Sequence, residues 1–154
     1  MQEFPHRYTV AAAGSVEGDI GLTAAGLPHV ASASPPEFGG PGDRWSPETL
    51  LVGAVADCFI LTFRAIAQVS KLPWTSLQCN VTGTLDRVGR VAQFTRFDMH
   101  AAVTVPVGVD RDQVRRLIEK AEHSCLITNS LKAEVRLAMD ITVAANTVGV
   151  LAGA

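Results

Sequence analysis

The 154 residues include only three cysteines, with no CxxC pair, no block of like charge and no internal repeat. Each absence closes off a class of function. Three thiols leave one over from any paired disulfide framework, and a reducing compartment would undo such bonds, so a disulfide in this chain is expected to be transient and chemical. The thirteen Lys and Arg are scattered and outnumbered by fifteen Asp and Glu, for a net charge of −2, which gives no electrostatic reason to bind nucleic acid. The opening MQEFPHRYTV lacks the charged and apolar regions of a secretory signal, and no stretch reaches the roughly 20 apolar residues of a bilayer span, so no membrane partner is expected and the cytoplasm is the expected location. His123 and Cys125 lie two residues apart and His6, His29 and His100 are available, but no HxxxH or carboxylate stands at ligand spacing. No metal and no cofactor is predicted.

What is present is enough apolar residue, 47%, for a single domain over 1–154 with its own core. Short strands of small residues are predicted within 1–34, around Tyr8 to Gly14, Asp19 to Ala25 and His29 to Ala33. A loop over 35–46 carries Pro35, Pro36, Gly39, Gly40, Pro41 and Gly42. Ser46 as N-cap and Pro47 as first helical residue then open a central helix over 47–71. From Leu50 to Phe63 only Asp57 and Thr62 interrupt its apolar and small residues, which predicts a buried helix without a solvated face. Pro73 ends it. Period-two alternation at Leu77, Cys79, Val81 and Leu85, and at Phe97, Met99, Ala101, Val103 and Val105, with DRVG between, predicts an antiparallel hairpin over 75–105. A second helical segment over 110–131 is capped by Asp110 with Gln113 in capping-box position, its stripe being Val114, Leu117, Ile118, Ala121 and Cys125. A last strand occupies 132–143 and a tail 144–154. The order makes the fold α+β, with helices packed on curved antiparallel sheet.

Cys79 stands in the apolar phase of a strand and reads as a small hydrophobe. Cys58 and Cys125 lie in short-side-chain contexts, ADCF and HSCL, where burial and reactivity are both open readings. Were Ser124 the N-cap of a short helix through LITNSL, the Cys125 thiol would sit at a helix N-terminus and be acidified. Cys58 has only Asp57 beside it, which disfavours a thiolate, so an activating cation is needed from elsewhere. Nothing places a histidine beside Cys58 for papain-like chemistry.

SPETLLVGAVADCF and AEHSCLITNSLKAEV together resemble the two cysteine segments of the OsmC/Ohr family, and the order of elements agrees from about Gly39 to Val143. The resemblance implies an intertwined homodimer and a thiol-dependent peroxidase acting on organic hydroperoxides. It assigns the peroxidatic role to Cys58, the resolving role to Cys125 and an active-site carboxylate to Glu48, with a lipoyl-type or other small dithiol as reductant. Glu48 and Cys58 are ten residues apart, about 15 Å along a continuous helix. Either the helix breaks near its start or the carboxylate serves a neighbouring subunit. Two departures stand out: AAAGSVEGD lacks the arginine that Ohr-type members carry in that turn, and Leu126 replaces a frequent proline. Arg44 is the substitute cation named from the sequence. Phe59, Leu126, Ile127 and Trp45 are expected to form an apolar pocket mouth. The alternative is a non-catalytic apolar-ligand-binding or redox-sensing protein on the same fold.

Overall fold

The computed structural model describes residues 3–144, so the expected tail, apart from Ala144, lies outside the described residues. The chain forms two compact units divided between Leu51 and Val52. In the first, β1 (Ala11–Ala13), β2 (Ile20–Thr23) and β3 (Val30–Ser32) make an antiparallel sheet in sequence order. These strands are shorter than the predicted segments, and Ser32 is their one buried residue. The Gly/Pro loop contains a 3-10 turn, Pro36–Phe38, and returns to β3 where the Ala33 N–H donates to the Trp45 carbonyl at 2.9 Å.

The long helix α1 runs unbroken from Pro47 to Val69. Its start follows from reciprocal capping: Ser46 Oγ accepts from the Thr49 N–H at 3.1 Å, while Thr49 Oγ1 accepts from the Ser46 N–H at 2.8 Å. The break that would have let Glu48 fold back toward Cys58 therefore does not occur. Within the second unit α1 buries one stripe, Val55, Phe59, Phe63 and Ala67, spaced four residues apart. Asp57, Leu61 and Arg64 are exposed, so the expectation of a helix without a solvated face is corrected for the single chain. The helix begins at the expected residue and ends two residues before the expected 71. By length and composition alone it could cross a bilayer, a test that the core helix of a globular domain passes as well.

The second sheet has the order β4 (Ser76–Val88), β5 (Val91–Val105), β6 (Glu134–Val143). β4 and β5 form the expected antiparallel hairpin, but its turn is Gly89 and Arg90, not DRVG. Gly89 at φ 63, with no positive φ at Arg90, has the glycine-first pattern of a type II′ turn, whose twist suits a two-residue connection. β6 departs from the antiparallel expectation. It lies parallel to β5, because α2 (Arg111–His123) carries the chain back across the sheet before β6 begins.

As the central strand, β5 contributes Phe97, Met99, Ala101, Val103 and Val105 to the core, and α2 contributes Val114, Ile118 and Ala121. One glycine is required by packing. A Cβ added at Gly83 would lie 2.8 Å from Val52 Cγ2 of α1 and 2.7 Å from Phe94 Cε1, so its absence lets the helix close on β4. The cap of α2 uses Asp110, whose carboxylate accepts from the Asp112 N–H at 3.0 Å. The donor is one residue earlier than the N3 amide of Gln113 that a capping box would employ.

Candidate active site

Cys58 sits on α1 beside Phe59 of the buried stripe and is itself half-buried. One turn later, Thr62 Oγ1 stands 4.0 Å from Cys58 Sγ. The other wall comes from the end of α2. Ser124 is the C-cap of that helix, not the N-cap of a new one, and Cys125, fully buried, follows it in a turn. The stripe of α2 thus extends in space to Cys125, although the helix stops at His123.

Side chains pin this turn to its own carbonyls. Thr128 Oγ1 donates to the Cys125 carbonyl at 3.2 Å, Ser130 Oγ to that of Leu126 at 2.8 Å, and Asn129 Nδ2 to that of His123 at 3.0 Å. The Asn129 N–H also donates to the Cys125 carbonyl at 3.1 Å. Among the described residues, the N–H groups of Leu126 and Ile127 donate to no backbone carbonyl.

The two thiols influence one another and are driven in opposite directions. Burial alone would push Cys58 up, but the Ile127 N–H, the Cys125 thiol, the Thr62 hydroxyl and the Leu126 N–H together bring it below the ordinary thiol value. Cys125 is pushed up, first by burial and then by hydrogen bonding to Cys58 and that residue's charge, despite donors from Thr128. This reverses the expectation that a helix N-terminus acidifies Cys125, because the thiol follows a helix C-cap and is buried. Cys58 is thus the more acidic of the two thiols. Cys79, across the β4–β5 pair from Ala101, is pushed up to about 11 by burial and by the nearby Cys125, in keeping with an inert core thiol.

The other sequence-derived residues lie in the first unit. Arg44 is committed to acidic neighbours: its Nε is 2.8 Å from Asp19 and its Nη1 3.0 Å from Asp43. Glu48 lies in the first turn of α1, and its Oε2 is buried without a hydrogen-bond partner among the described residues. Of the expected pocket mouth, Leu126 is 71% exposed and Trp45 55%, but Phe59 is fully buried and belongs to the core. Among the described residues no group of three His, Cys, Asp or Glu could hold a metal ion. The sequence reading passed over Thr62 as an interruption, although a hydroxyl one turn beyond a cysteine on an apolar helix was a usable signal. The two backbone donors left no mark in side-chain identity.

Comparison with known proteins gives a consistent set of likenesses. The family described as "OsmC-like protein" matches residues 40–140. The uncharacterized protein YmaD of Bacillus subtilis is 28% identical over 128 residues, covering 81% of this chain and 85% of YmaD. Peroxiredoxin OsmC of Escherichia coli is 29% identical over 92 residues, 60% of this chain and 64% of that protein, somewhat under two thirds of its length. Among solved structures, an OsmC-like protein of unknown function from Vibrio cholerae superposes with a TM-score of 0.80 at 17% identity, covering 88% of this chain and all of that one. An organic hydroperoxide resistance protein OsmC from Legionella pneumophila gives 0.71 at 24% identity, with 92% and 100% covered. At these identities the structures establish likeness of fold.

Proposed function

Because the chain belongs to the OsmC-like protein family, we propose that it is a two-cysteine, thiol-dependent peroxidase reducing organic hydroperoxides. The observation that carries the reading is the pairing of a depressed Cys58 with a raised Cys125, each shifted in part by the other. The Cys58 thiolate attacks the distal peroxide oxygen, the O–O bond breaks and the alcohol leaves with a proton, giving Cys58 sulfenic acid. The Cys125 sulfur then attacks the Cys58 sulfur, water leaves and a disulfide forms. A dithiol, lipoyl-type or similar, returns both thiols by exchange and is itself oxidised to a disulfide. Relatives named as a peroxiredoxin and as organic hydroperoxide resistance proteins support this chemistry.

The working form is a cytoplasmic homodimer. An α1 apolar on most sides buries only four residues in one chain, and the first sheet buries one strand residue, so both have surface to give to a second copy. Glu48 then acts in trans: ten residues along an unbroken helix is about 15 Å from its own Cys58, and its buried oxygen awaits a donor. Purified protein should consume cumene hydroperoxide with a dithiol, and lose that activity in Cys58→Ser. Cys125→Ser should retain the first oxidation but pass to sulfinic acid, seen as added oxygen in the intact mass. Undiminished turnover by Cys58→Ser refutes the assignment. Oxidation of both cysteines without turnover favours the redox-sensing alternative.

A further inference from the structure

Cys58 and Thr62 stand four residues apart on α1, so their side chains lie one above the other on the same strip of the helix. Thr62 Oγ1 is 4.0 Å from Cys58 Sγ, a hydrogen bond in which either atom can be the donor. A helical threonine can turn its hydroxyl to the carbonyl three or four residues back. Here, among the described residues, the partner of the Thr62 hydroxyl is the sulfur and not a carbonyl. Both side chains are half-buried, where a hydroxyl without a partner would be costly. We propose that Thr62 is a positioning residue for Cys58: its hydroxyl donates to the sulfur once that sulfur is ionised, and so favours the reduced thiolate over the disulfide. The disulfide part rests on the peroxidase reading and extends it to how readily the pair is recycled.

The bond changes character with the charge on sulfur. In the thiol, S–H is a weak donor and sulfur a weak acceptor, so the pair gains little. In the thiolate the sulfur can only accept and the threonine O–H must donate, and a hydrogen bond to an ionised group is shorter and roughly twice as strong as a neutral one. In the disulfide the sulfur has neither proton nor charge. Thr62 therefore acts most on the form that attacks peroxide. Other groups bear on the same sulfur: Cys125, from the turn after α2, also favours its ionisation, while Asp57, next to it on α1, is exposed and Arg44 is tied to Asp19 and Asp43. The same preference sets the redox balance. When a dithiol reduces the pair, the S–S bond breaks and the dithiol becomes a disulfide; of its two protons one goes to Cys125 and one to solvent, leaving Cys58 as the thiolate that Thr62 holds. A pair whose reduced form is stabilised in this way is the easier to reduce.

Thr62→Val keeps the shape and the β-branch and removes the hydroxyl, whereas Thr62→Ser keeps the hydroxyl. The first measurement is the pH dependence of Cys58 alkylation by iodoacetamide, followed by peptide mass. In Thr62→Val the midpoint should rise by about one pH unit, a roughly tenfold loss of thiolate below both midpoints, with the high-pH limiting rate kept. Thr62→Ser should return it toward wild type. The second is equilibration with a dithiol buffer above both midpoints, where the Thr62→Val pair should be about tenfold harder to reduce, a potential lower by about 30 mV. Should the valine variant fail to fold, Thr62→Ala is read in the same way. A midpoint unmoved by Thr62→Val, or moved equally by Thr62→Val and Thr62→Ser, overturns the proposal while leaving the peroxidase reading, which is decided by hydroperoxide turnover and its loss in Cys58→Ser. A midpoint that depends on the hydroxyl in a protein that forms no Cys58–Cys125 disulfide with cumene hydroperoxide overturns the peroxidase reading and the redox half of the proposal.

Discussion

Gly83→Ala tests whether α1, and Cys58 with it, is seated by a missing methyl group. The new Cβ would meet Val52 Cγ2 at 2.8 Å and Phe94 Cε1 at 2.7 Å, where comfortable carbon contact begins near 3.4 Å. About 0.6 Å must be found. Val52 cannot easily supply it by rotation, since a β-branched residue in a helix has one strongly preferred χ1, so the helix or the Phe94 ring must move. Overpacking of this kind costs about 1–3 kcal/mol, offset by roughly 0.5–1 kcal/mol for replacing a strand glycine. A net loss of about 0.5–2 kcal/mol is expected, read from the urea midpoint at unchanged m-value. A double-mutant cycle isolates the contact. Val52→Ala alone loses packing, but in the Gly83→Ala background it removes the clash, so the pair should be less destabilised than the sum by about 1 kcal/mol. Additivity within a few tenths of a kcal/mol, or a stabilised Gly83→Ala single variant, would refute the idea that β4 and α1 meet there.

Ser46→Ala should cost about 1 kcal/mol by leaving the Thr49 N–H without its acceptor; Thr49→Ala should cost a similar amount, and the double variant less than the sum, by urea titration. Cys79 gives a pH test. Its folded value of about 11 exceeds the roughly 8.5 of an unfolded thiol, so the protonated form is favoured by folding. That stability is fully present below the unfolded value and is lost as pH rises through the folded one. Cys79→Ala should therefore flatten the fall in stability between about pH 8.5 and about 11. A slope unchanged in Cys79→Ala means that another group carries it.

Helix boundaries and the hairpin were legible in the sequence because their signals are local: Ser46 and Pro47 mark the start of α1, Pro73 enforces its end, and strict alternation marks β4 and β5. The direction of β6 was not legible, since Val135 to Ile141 alternate in the same way whether the neighbouring strand runs parallel or antiparallel. The two cysteines were found from their segments, but their opposite electrostatics were not. Those depend on burial at Cys125 and on peptide N–H groups at Leu126 and Ile127, which every non-proline residue possesses. Arg44 was chosen by nearness to Glu48 in the chain, whereas in space Asp19 claims it from 25 residues away.

The placement of the pinned turn at the far side of β4 and β5 has a consequence for the newborn chain. Cys58 is synthesised 67 residues before Cys125, a lag of about 3–13 s at 5–20 residues per second. During that time α1 and the local hairpin can form, but the Thr128, Asn129 and Ser130 side chains that hold the turn do not yet exist. A cysteine activated wholly from within its own helix would be exposed to oxidant as soon as it left the ribosome. On the proposed peroxidase reading, the reactive sulfur and the thiol that protects it from over-oxidation come into force together, only when the last third of the polypeptide has been made.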